Sequence, residues 1–279
     1  MTQSPSVPAT TPSSSDRLTL IAISALAYII AVALHEHLGH TTACILLGGH
    51  PAEMGAFYVN CNYTGMSSLN VRLVALAGPL ISLVIGLVSF LIILPRISSR
   101  AHAAYYFVWL LGSLGLMGST GYLLFSGVSG VGDFGTASDG VFYQATPEWL
   151  WRTALTIVGI TGYLLVVRFA VRKIDQHIGG ESQARIRNGL RIAWTSYFTG
   201  AVLYIAIGLL NPHGFIIVAI SAAASSLGGT SGLLWMMEWL DRRKRVESGL
   251  MIQRSWRWIA LGVIVTIVYA AILGPTIRP

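Results

Sequence analysis

Long apolar stretches alternate with short polar ones along almost the whole chain. Hydrophobic runs of roughly 18 residues or more, long enough to cross a bilayer as a helix, fall near 17–47, 71–94, 104–125, 149–171, 192–210, 215–239 and 256–273. The pattern predicts an all-α, polytopic membrane bundle of about seven transmembrane helices. Residues 1–16, MTQSPSVPATTPSSSD, are rich in Ser, Thr and Pro and read as a disordered tail. Residues 17–279 read as one transmembrane helical domain, because the connections are too short for a further domain of ~50 residues. A small surface hairpin is expected after the first span, where Gly48, Gly49 and Pro51 break the helix and 57–63 alternates. Gly78-Pro79 in the second span predicts a kink or the close approach of a neighbour. The glycines of the third, LLGSLGLMGSTGYLLFSG, suit tight helix packing, and no internal repeat is visible.

Composition agrees with this pattern. Of 279 residues 54% are hydrophobic and 10% charged, against about 25% charged in soluble domains. The net charge of +7 invites a nucleic-acid partner, but the cations cluster in loops between spans. With alternating crossings, all but Arg72, Arg152 and Arg278 of the 18 Lys and Arg share one side. That bias puts the N-terminus in the cytoplasm and the C-terminus outside. The basic runs, DRRKR among them, then read as a solvated collar on the lipid bilayer, with no nucleic acid involved. Ala31-Val32-Ala33 resembles a signal-cleavage site, but the preceding region is long and carries one Arg beside an Asp, so the segment is expected to stay. Cys44 and Cys61 match no metal spacing; both fall on the outer side, where an oxidising compartment would permit a bond.

The first span holds AVALHEHLGHTTACILLGG, residues 31–49. A charge at membrane depth costs roughly 2.5–3.5 kcal/mol on insertion scales, which makes such groups functional candidates. The stretch resembles the HExxH zinc motif of the site-2 protease family of intramembrane metalloproteases, worded HELGH, then small residues, an apolar run and Gly-Gly. LGHTTACILLGG matches its second half, and LVALAGPLISLVIG at 73–86 resembles the alanine-glycine-proline helix that follows in the family. The resemblance covers about 20–140, so that 17–140 is a metalloprotease-like core and 141–279 are additional spans. It implies a Zn2+ ion, His35 and His40 as ligands, Glu36 as general base, a later aspartate as third ligand, and a transmembrane protein substrate. In the family the zinc lies towards the cytoplasm, whereas the charge bias here puts the motif towards the outer side.

HExxH works because residues four apart on an α-helix are turned by only about 40°, so both imidazoles reach one metal. Here the second histidine comes at i+5, turned by about 140° on a regular helix. A π-bulge eased by Gly39 would restore convergence of His35 and His40. A regular helix would offer Glu36 and His40 instead, with His37 in the glutamate's place. A zinc hydrolase needs a third ligand and an open position. Asp133, in GVGDFG at the exit of the third span, is on the motif's side and is the candidate, with Asp139 in SDG second.

Other readings stand beside this one: a metal-free polar cluster tying helices together, a non-proteolytic metal-binding scaffold, or a proton or metal transporter. A di-iron enzyme is excluded, because His50, His102, His177 and His213 stand alone. GGTSG at 228–232 is similar to the serine motif of rhomboid proteases, but no histidine follows His213; Gly229 and Gly232 read as close-packing positions. Oligomeric state is left open.

Overall fold

The computed structural model describes residues 15–98, 100–137, 139–217, 221–222, 227–247 and 249–279. The chain is mostly helical. Six of its described helices are long and apolar enough to cross a membrane, the pattern of a multi-pass membrane protein: α1 (Arg17–Leu46), α2 (Ser68–Arg96), α3 (His102–Ser129), α4 (Glu148–His177), α5 (Ser182–Gly208) and α6 (Trp256–Leu273). Most of the expected tail, residues 1–14, and part of the expected span 215–239, at 218–220 and 223–226, lie outside the described residues.

Local chemistry sets where the helices start. The Asp16 carboxylate accepts from the Thr19 amide at 2.9 Å and caps α1, and Ser67 does the same for α2 through the Asn70 amide, each satisfying a donor that has no partner in the first turn. Pro79 lies inside α2 without ending it. The aromatic and aliphatic side chains of the first three helices and of the later ones form one buried cluster, in which Tyr28, Trp109, Val167 and Met236 are all 0% exposed. The helices after residue 141 are therefore part of the same core.

α1 and α6 run in the same direction. Asp16 and Arg254 pair at one end, while at the other Ile277 bridges Met54 by two backbone hydrogen bonds of 2.9 and 3.0 Å. Met54 belongs to the expected hairpin, β1 (His50–Met54) against β2 (Val59–Asn62), antiparallel with an irregularity between Pro51 and Glu53. A Cys44–Cys61 disulfide joins this hairpin to the last turn of α1. Between α5 and α6 the chain crosses the molecule from Asn211, bonded to Thr276, to Asp241, whose carbonyl accepts from buried Arg185. Its described parts in between include a helical turn at Phe215–Ile217 and 3-10 segments at Ser231–Leu234 and Met236–Trp239.

Candidate metal centre

An extra residue between two histidines has to be absorbed somewhere, and α1 absorbs it locally. Residues Leu34–Thr41 form a π-helix between regular α-helical segments. With i→i+5 bonding, residues five apart come to lie on one face. The Thr42 hydroxyl donates to the His37 carbonyl at 3.0 Å inside this irregular turn. Gly39 lets α2 approach: a Cβ there would stand 2.6 Å from the Gly78 Cα.

The result is convergence. His35 Nε2 and His40 Nε2 lie 3.3 Å apart, with the rings edge-on at an interplanar angle of 78°. Each ring is held from behind. His40 Nδ1 donates to the Val74 carbonyl at 2.8 Å, which leaves Nε2 of the neutral ring with its lone pair facing His35. His35 Nδ1 is 2.9 Å from the Ser82 hydroxyl, and Tyr122 stacks on that ring with centroids 4.8 Å apart. Val74, Gly78 and Ser82 are spaced by one turn of α2 and line one face of it. Gly78 has to be glycine, because a Cβ would fall 2.3 Å from His40 Nε2 and 2.8 Å from His35 Nε2.

Asp133 comes in from the loop after α3. One carboxylate oxygen is 3.2 Å from His35 Nε2 and the other 3.4 Å from His40 Nε2. The first of these is shielded from solvent and makes no hydrogen bond. Burial raises the Asp133 carboxyl, whereas positive charge on the adjoining imidazoles, when they are protonated, holds it below the ordinary carboxylate range. Glu36 is buried, and ligand atoms of His35, Glu36 and His40 all lie within 4.8 Å of one another, so that the group could hold a metal ion. Lone pairs of two neutral imidazoles and two carboxylates facing one spot repel each other unless a cation or a proton sits among them.

The remaining candidates fall outside. His37 is half-buried beside Thr41, and a π-helix stands where the alternative with His37 in the glutamate's place needs a regular helix. Asp139 is exposed, with φ 58°, and pairs with neither imidazole. Gly229 does pack closely, against Gly121 of α3, and the Gly232 amide donates to the Tyr163 hydroxyl at 2.6 Å. The sequence reading did not single out Ser82, Val74 or Tyr122. The one signal available was Ser82, a polar side chain one turn beyond Gly78 within the apolar run 73–88. No protein-family model, curated protein or solved structure matches this chain.

Proposed function

We propose that this chain is an intramembrane zinc metalloprotease that hydrolyses peptide bonds in or near transmembrane segments of other membrane proteins. The observation that carries this reading is a set of three distances. Zinc bonds of about 2.0–2.1 Å directed to the corners of a tetrahedron leave ligand atoms about 3.3 Å apart. The two imidazole Nε2 atoms lie 3.3 Å apart, and each meets a different oxygen of the Asp133 carboxylate, His35 at 3.2 Å and His40 at 3.4 Å. Two imidazoles and a carboxylate are also a zinc-type donor set, with a fourth position left for water.

Zinc bound by His35, His40 and Asp133 would polarise a scissile carbonyl and lower the pKa of a coordinated water towards ~7. Glu36, next to His35 on the same turn, takes the proton of the attacking water and returns it to the leaving amine. Ser82 and the Val74 carbonyl fix the ring orientations, and the Gly78 backbone closes that flank of the site. The same reading has seven crossings, the N-terminus in the cytoplasm and the C-terminus outside. Supporting this are the cation asymmetry and the Cys44–Cys61 disulfide at the hairpin end, a bond that persists in oxidising compartments. The centre then lies towards the outer side, opposite to site-2 proteases.

Elemental analysis of the purified protein tests the ligand set: one zinc per chain is expected, and its loss in His40→Ala. Glu36→Gln should keep the metal and lose cleavage of a transmembrane substrate. A wild type free of bound metal ends the hydrolase reading. A second reading, a proton or metal transporter, is favoured by the hydroxyls of Thr230 and Tyr28, and of Tyr106, Ser196 and Ser24, buried in the core beyond Glu36. It predicts flux into proteoliposomes that Glu36→Gln abolishes, with no peptide cleaved by either protein.

A further inference from the structure

A cavity of about 50 Å³ adjoins the candidate centre, with His35 and Glu36 in one wall and Val32, Ile85, Leu114 and Gly118 among the rest. At roughly 10–15 Å³ of this measure per water and ~30 Å³ of liquid volume for each, it has room for about four waters. That is the bulk of a short aliphatic side chain and less than an aromatic ring needs. The Ser82 and Thr230 hydroxyls that also border it are engaged with His35 and the Leu227 carbonyl, so its free surface beyond the centre is mainly apolar. Packing does not demand the space. A Cβ added at Gly118 meets nothing within 4 Å, whereas one at Gly115 would stand 2.7 Å from the Ser82 carbonyl. Space left beside apolar atoms forfeits dispersion contacts, so an apolar space bordering two buried site residues points to a guest.

Resting on the peptidase reading, we infer that this cavity is the side-chain pocket of the site: it takes a small aliphatic residue next to the scissile bond and excludes aromatic ones. Gly118 sets its depth and Ile85 forms its wall.

Alkyl hydroxamic acids test this without a natural substrate, since the head group chelates zinc and the arm probes the pocket. Calorimetric affinities in micelles should rise about fourfold per methylene from acetohydroxamate upward until the space is filled. An aryl arm should then bind at least tenfold more weakly than the best alkyl arm. Gly118→Val should flatten the series, and Ile85→Ala should admit the aryl arm, with zinc content unchanged in both. Identical size dependence in all three proteins, or no hydroxamate binding to zinc-loaded wild type, overturns the pocket while leaving the zinc centre standing. A wild type without zinc overturns the peptidase reading and the pocket with it.

Discussion

Which nitrogen each imidazole presents depends on one contact behind it. The Val74 carbonyl can only accept, so it fixes the His40 tautomer outright; the Ser82 hydroxyl orients His35 through a contact that a single substitution removes. Ser82→Ala should lower zinc affinity by about 10–100-fold, the usual effect of losing a partner behind a ligand, while the helices stay packed. Gly78→Ala should be more severe at the metal, since its methyl would occupy the ground where the two Nε2 atoms meet. Titration against a chromophoric chelator reads both, and equal affinities in wild type and Ser82→Ala would remove Ser82 from the site. His35, Glu36 and His40 were legible as a group because ionisable side chains are conspicuous in an apolar run. Asp133 was legible only through topology, as an acid at the exit of a span ending on the same side. Ser82 and Val74 were not, because a serine in an apolar helix is ordinary and a backbone carbonyl has no sequence signal.

At the scale of elements, the π-helix decides whether a centre exists. The spacing of HEHLGH left two helix geometries open, and packing against α2 is where they differ: the wider turn brings both histidines to the Val74–Ser82 face, with Gly39 against Gly78. Gly39→Ala should therefore force α1 and α2 apart, lowering the melting temperature and releasing zinc together, by the ~1–3 kcal/mol typical of overpacking. A variant that melts as wild type does while holding zinc would contradict this. The disulfide holds the end of the same helix. Its sequence separation of 17 corresponds to about 3 kcal/mol of loop-closure entropy in the chain-entropy model. Reduction, or Cys44→Ala with Cys61→Ala, should cost that order of stability, read as a lower denaturation midpoint in micelles. The 215–239 stretch is only partly described. Its composition suits a helix; its described part at Ser231–Trp239 runs in 3-10 turns, tolerated inside protein because the backbone finds other partners, among them Tyr163 for the Gly232 amide and Trp194 for the Leu234 carbonyl.

Across the whole molecule the two ends differ in charge and in chemistry. Arg185 is fully buried and paired with Asp175, which Lys244 also contacts, knitting α4, α5 and the approach to α6 at the cation-rich end. The opposite end carries the disulfide, the hairpin and the candidate centre. An impermeant maleimide applied to intact cells should therefore label Tyr143→Cys, and should reach Arg243→Cys only after lysis; the reverse pattern would invert the orientation. The Ile277–Met54 bridge, backed by Arg278 on Glu53 at 2.9 Å, has a practical consequence for anyone purifying the protein. Whatever is fused behind residue 279 pulls on the ribbon whose Met54 touches Thr41 at the end of the π-helix, so an affinity handle belongs on the far side, ahead of Ser15.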